Sequence, residues 1–316
     1  MVTKAYRLMR GRRGVAVLVA LLAALVTACG SSASSSTGAA QPSGKHLNVV
    51  AGENFWGSIA TQLGGSQVTV KSVVTDPNAD PHDYESDTAD ARAFATADYV
   101  ILNGAGYDNW ADKLLSANPN SRRKVVTVAD LLGKKEGDNP HFWYSPDYVV
   151  KVADRISSDL KSIDTTDADY FTAQRKAFTS ALTPYLNRIA AIHSRFAGRK
   201  VGATESIFVY MSDALGLDLI SPPEFMKAVA EGNDPPAETV ATFQQQIQSK
   251  TATVLVYNVQ TSTDVTNTIK QMAAQQGIPV VAVSETMQPP DATFEEWQLG
   301  QLNTLYNALN AEALAK

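Results

Sequence analysis

Two Pro-His pairs and two glutamates that close apolar runs are the residues of this chain best suited to holding a divalent transition metal. His82 lies in Asp80-Pro81-His82-Asp83-Tyr84-Glu85, and His141 in Asn139-Pro140-His141-Phe142-Trp143-Tyr144-Ser145-Pro146. Glu205 ends the run KVGATE and Glu285 ends IPVVAVSE. Imidazole nitrogens and carboxylate oxygens bind such ions at roughly 2.0–2.2 Å. Two carboxylates also cancel the charge of a dication, so the assembled site is formally neutral and can be buried. A set without thiolate disfavours copper(I). Monodentate carboxylates would leave a four-coordinate tetrahedron that suits zinc, whereas bidentate ones raise the coordination number toward six and suit manganese. Each residue has a plainer role as well. A Pro-His pair can be a turn whose ring caps a carbonyl, Glu205 could cap the helix that follows it, and Glu285 precedes a loop containing Pro289 and Pro290. Glu53, Asp83, Glu85 and Asp234 are spare carboxylates near the same strand ends, able to replace one of the four or to orient it. His46 and His193 read as surface residues.

The elements that must position these residues alternate in type. The runs at 47–52 (LNVVAG), 68–74 (VTVKSVV), 98–104 (DYVILNG) and 124–128 (KVVTV) are β-rich, and most are separated by amphipathic stretches. The same succession returns at 200–206, 217–222, 251–258 and 278–285. Alternation of this kind predicts an α/β fold with mainly parallel sheets, in which ligands gather beyond the carboxyl ends of the strands. The two halves also match at nearly constant offset: Glu53 with Glu205, Asp80-Pro81 with Asp234-Pro235, Asn103 with Asn258, and Val125-Val126 with Val280-Val281. Two similar lobes are therefore expected, 47–150 and 199–316, joined by a helical region at 151–198, with the metal site in the cleft between them. Within that region Phe178, Leu182, Tyr185, Ile189, Ile192 and Phe196 step by threes and fours along one helix face. Pro184 falls inside the pattern and predicts a kink or a break.

The amino terminus belongs to a different class of segment. Residues 1–28 carry five cations (Lys4, Arg7, Arg10, Arg12, Arg13) and no acid, and they include the apolar run Val15–Val26. That run is too short for an ordinary membrane-spanning helix and reads as the core of an export signal. Val26-Thr27-Ala28-Cys29 contains the only cysteine of the chain and resembles a bacterial lipobox, which predicts cleavage before Cys29 and lipid on that residue. Residues 30–45 have no large apolar side chain and read as a tether, so 29–46 link a lipid anchor to the body. The protein is thus expected outside the cytoplasm, held by lipid to the outer face of the cytoplasmic membrane.

Charge and motifs exclude other functions. The whole chain has 27 basic and 32 acidic side chains; without the first 28 residues the balance is 22 against 32, which repels phosphate backbones and argues against nucleic acid as a partner. No H-E-x-x-H, no G-x-S-x-G and no cysteine nucleophile occurs in the body, so an exported metallohydrolase is the weaker reading and the chain is expected not to be an enzyme. A surface adhesion lipoprotein with a structural ion is a further alternative.

The motifs DPHDYE at 80–85, NPHFWYSP at 139–146, ATESIFVY at 203–210 and SETMQPP followed by Glu296-Trp297 resemble those of the zinc/manganese substrate-binding lipoproteins of ABC transporters. The resemblance implies two α/β lobes joined by a long rigid helix, one bound metal as cargo, and delivery of that cargo to a membrane permease by a monomeric protein. It carries the ligand role to His82, His141 and Glu205, and less directly to Glu285, where the family usually has the shorter aspartate. Glu205 stands where many zinc members have histidine, and a His-rich loop is absent. The resemblance therefore leans toward manganese, with zinc close behind and ferrous iron within range.

Overall fold

The computed structural model describes residues 44–78 and 81–314. The signal sequence, Cys29 and nearly all of the tether lie outside the described residues, as do Ala79, Asp80 and the side chain of Asp83. The described residues form one compact unit. The first half runs β1 (Leu47–Glu53), α1 (Asn54–Gly64), β2 (Val68–Val74), α2 (Thr88–Thr96), β3 (Tyr99–Leu102), α3 (Trp110–Ala117), β4 (Lys124–Thr127) and α4 (Val128–Leu132). Three helices follow: α5 (Pro146–Ile163), α6 (Ala168–Ala181) and α7 (Thr183–Phe196). The second half runs β5 (Lys200–Ala203), α8 (Val209–Ala214), β6 (Asp218–Leu219), α9 (Pro223–Ala230), α10 (Ala237–Gln248), β7 (Leu255–Asn258), α11 (Asp264–Gln275), β8 (Val280–Val283) and α12 (Phe294–Leu314).

Among the described residues the strands form two parallel sheets, ordered β2-β1-β3-β4 and β6-β5-β7-β8. The internal duplication extends to register. Ala51 faces Ile101, which pairs with Val126; Ala203 faces Val256, which pairs with Val281. Equivalent strand ends therefore project equivalent residues, Glu53 and Asn103 from one sheet, Glu205 and Asn258 from the other. Several strands are shorter than the β-rich runs suggest. β6 is reduced to two residues, and Val128, the last residue of KVVTV, is already the first of α4. In the 251–258 run only Leu255–Asn258 pairs as strand.

The connecting region breaks rather than kinks. α6 ends at Ala181 and α7 begins at Thr183, with Pro184 in the first turn of α7, where a missing N–H costs nothing. All six residues of the predicted stripe are buried. α6 packs on α1 and α5 in the first half, and α7 packs along α12 in the second. The main hydrophobic core runs without interruption from Leu47 to Leu309, so burial of apolar surface holds the two halves as well as the sheets.

Candidate metal centre

Loops at the carboxyl ends of the strands bring His82, His141 and Glu285 together and set Glu205 beside His141. His82 lies in a single 3₁₀ turn, Pro81–Asp83, after β2. His141 precedes a second such turn, Phe142–Tyr144, whose Trp143 stacks on Phe55 with ring centroids 3.9 Å apart. Glu205 follows β5 and Glu285 follows β8. His82 Nε2 lies 3.4 Å from Glu285 Oε2, and His141 Nε2 lies 3.5 Å from Glu205 Oε1 and 3.8 Å from Glu285 Oε2. The nearest ligating atoms of His82, His141 and Glu285 all fall within 4.8 Å of one another. An ion with bonds of 2.0–2.2 Å keeps its ligand atoms within about 4.4 Å, so these groups need move only by tenths of an ångström to share one.

The backbone on either side is tightly specified. Asn103, at the end of β3, donates from Nδ2 to Pro140 O at 2.9 Å and accepts Trp56 Nε1 at 3.1 Å, which fixes the peptide leading into His141. His141 Nδ1 is 2.7 Å from Asn139 Oδ1, and Asn139 Nδ2 donates to Ser206 O at 2.7 Å. Because that carbonyl can only accept, the Asn139 amide is oriented. Its oxygen receives the Nδ1 proton, which leaves Nε2 of His141 toward the centre, facing the carboxylates when protonated and able to ligate once neutral. Glu205 does cap the turn after it, accepting Ile207 N at 3.1 Å, while the same oxygen faces His141. The plainer role and the site role coincide there.

Glu285 is held from three directions. Tyr107 donates to its Oε2 at 2.7 Å, Asn258 Nδ2 donates to its Oε1 at 2.8 Å, and its backbone N–H is accepted by Gln260 Oε1 at 2.7 Å. Tyr107 arrives by a turn in which Gly104, Ala105 and Gly106 have φ of 75°, 57° and 92°. Glycine suits the two outer positions, but Ala105 stores strain in that conformation. Asn258 also donates to Glu205 Oε2 at 2.8 Å, so one amide bridges both carboxylates.

Glu205 and Glu285 are both fully buried, yet they titrate in opposite directions. Burial raises Glu205 above the ordinary carboxylate range, and the facing charge of His141 offsets that only in part. Burial also acts to raise Glu285, but the facing imidazoles of His141 and His82 outweigh it and hold Glu285 low. A cavity of about 600 Å³ leads outward from His82 and Tyr107 past Asn139 and Ser206, with Glu136, Asp138 and Glu231 on its walls.

The other candidates lie elsewhere. Glu85, Asp234, His46 and His193 are exposed. Glu53 is fully buried but faces Asp108 in the first half. Sequence reasoning did not assign roles to Tyr107, Asn139, Asn103, Asn258 or Gln260. The constant offset pairing Asn103 with Asn258 was the available signal for two of them.

Residues 49–308 match the model of the family described as zinc-uptake complex component A, periplasmic, and the chain belongs to that family. Curated relatives include the manganese-binding lipoprotein MntA of Halalkalibacterium halodurans, 27% identical over 65% of this chain and 68% of that protein. The metal ABC transporter substrate-binding lipoprotein FimA of Streptococcus parasanguinis is 25% identical over 85% of this chain and 87% of that one. Among solved structures, the crystal structure of ZnuA superposes with a TM-score of 0.67 at 23% identity, over 84% of this chain and 100% of that one. A manganese-bound periplasmic metal-binding protein from Candidatus Liberibacter asiaticus gives 0.67 at 19% identity, over 83% of this chain and 99% of that one. These likenesses establish the fold.

Proposed function

We propose that this protein captures a divalent transition metal, manganese or zinc, outside the membrane and delivers it to an ABC permease, with His82, His141, Glu205 and Glu285 as ligands. The observation that carries the reading is the convergence of His82, His141 and Glu285, whose ligand atoms lie within 4.8 Å of one another, with Glu205 Oε1 3.5 Å from His141 Nε2 beside them. The ion is cargo. The hydrophobic core is continuous without help from the site, so the chelated protein should stay folded, unlike a domain organised by a structural ion. Capture rather than catalysis is supported by the donor set, since four protein ligands leave a tetrahedral ion no open position for an attacking water. The lobes at 47–150 and 199–316, the connector at 151–198, the lipid on Cys29, the outer-face location and a monomeric state complete the reading.

Calorimetry of the chelated protein with zinc and with manganese, repeated on His82→Ala and His141→Ala, tests it. Each substitution should lower affinity by more than the roughly 10–100-fold typical of residues that only support a ligand. Unchanged affinity in both variants overturns the assignment.

A further inference from the structure

We propose that Asn258 is a specificity-determining residue, holding Glu205 and Glu285 to one ligating oxygen each and thereby favouring four-coordinate zinc over manganese. This rests on the ligand set proposed above. Asn258 is 1% exposed and both glutamates are fully buried. An amide nitrogen has two protons, and here each has an acceptor at 2.8 Å, Glu205 Oε2 and Glu285 Oε1. The oxygens left over, Glu205 Oε1 and Glu285 Oε2, are the ones that face the histidines.

The amide cannot simply turn over to release them. Its Oδ1 accepts Gln260 N at 3.1 Å, and a flip would set that oxygen against two carboxylates while facing the nitrogen toward an N–H. Gln260 is itself tied to the same strand end, accepting Glu285 N at 2.7 Å and Thr286 N at 2.9 Å. For either glutamate to chelate through both oxygens, the carboxylate must rotate so that the oxygen on Asn258 turns its second lone pair to the ion, which bends and weakens a hydrogen bond that no water can replace in a buried corner. Restricting both carboxylates to one oxygen gives two nitrogens and two oxygens, the set of a tetrahedral zinc site. Manganese, which takes six ligands, would have to recruit the two oxygens against the pull of Asn258. Glu205 in place of a histidine leans toward manganese on residue type alone; the second oxygen it offers is the one Asn258 has taken.

The equivalent asparagine of the other half shows that this contact is not a by-product of the duplicated fold. Asn103 stands at the matching strand end, yet it donates to Pro140 O and Gly104 O. Its counterpart glutamate, Glu53, is paired with Asp108 instead.

The test uses the chelated full chain and two variants. Asn258→Ala removes both donors. Asn258→Asp keeps the side-chain volume but supplies at most one proton, so at least one carboxylate is released even if the alanine variant folds poorly. Zinc and manganese affinities are measured by competition with a chromophoric chelator, and cobalt(II) is loaded as a probe, because tetrahedral cobalt(II) absorbs visible light far more strongly than six-coordinate cobalt(II). The wild-type protein should give the strong absorption. The variants should lower the zinc-to-manganese affinity ratio by about tenfold or more, the scale expected of an outer partner, with a weakened cobalt band. Variants that fold, keep the ratio and keep the cobalt spectrum overturn the role of Asn258. Failure of the ligand set itself would show differently, as zinc affinity that His82→Ala and His141→Ala leave unchanged.

Discussion

Replacing Glu53 by glutamine should make the protein more stable as the pH rises. Glu53 ends β1 with no exposed surface. Burial, and then the charge of Asp108 close by, push the Glu53 carboxyl well above its usual range. Asp108 accepts Asn103 N at 2.6 Å and Gly104 N at 2.8 Å, so it is the acceptor of the pair and Glu53 carries the proton. A carboxyl whose folded pKa is raised stabilises the fold fully below its unfolded value, about 4.3 for glutamate, and that contribution is lost as pH climbs through the folded value. One proton sets the limiting slope at about 1.4 kcal/mol per pH unit. Glutamine places an N–H where the O–H stood and does not titrate. Urea unfolding of the chelated wild type and of Glu53→Gln from pH 4 to pH 8 should therefore give curves that diverge upward from about pH 4.3. The variant should gain on the wild type at no more than about 1.4 kcal/mol per unit. Parallel curves would refute the protonated pair.

Three further outcomes are expected. Zinc affinity should fall between pH 7.5 and 5, because the raised Glu205 takes up a proton earlier than an ordinary glutamate and the imidazoles must be neutral to ligate; pH-independent binding contradicts this. Tyr107→Phe removes the hydroxyl donated to Glu285 and should weaken zinc binding about tenfold in a chelator competition. The chelated variant should lose no more than about 1.5 kcal/mol of stability, and full affinity would deny Tyr107 an orienting role. Cys29→Ser should move the protein out of the membrane fraction, and retention there would exclude a lipid anchor on that residue.

Much of the architecture was legible because the duplication is written in side chains that strand ends must present. The offsets from Glu53 to Glu205 and from Asn103 to Asn258 reappear as the same cross-strand partners in both sheets. Pro184 marked the place where the helical stretch is interrupted, and packing decided that the interruption is a break, with the proline in a first turn where a missing N–H is tolerated. The lengths of β5, β6 and β7 were not, because β-propensity marks residues that fit a half-buried pleat and not where pairing stops. Around the site, imidazole and carboxylate announce their chemistry by type. Amides and hydroxyls such as Asn139, Asn258 and Tyr107 are common on any surface. Their roles follow from which oxygen each reaches across 53 to 178 residues of chain, and that exists only after folding.

Of the four side chains at the centre, His82 alone keeps a face toward solvent, 23% exposed against none for the other three. Unloading therefore has a preferred sequence. A competing donor reaches the ion first where His82 swings aside, and the remaining three bonds are surrendered from inside a closed corner. With the ligand set proposed above, the exchange rate would be governed by one imidazole on a short 3₁₀ turn, and the tightness of the complex by the three groups behind it. Speed of hand-over and strength of grip can be tuned separately.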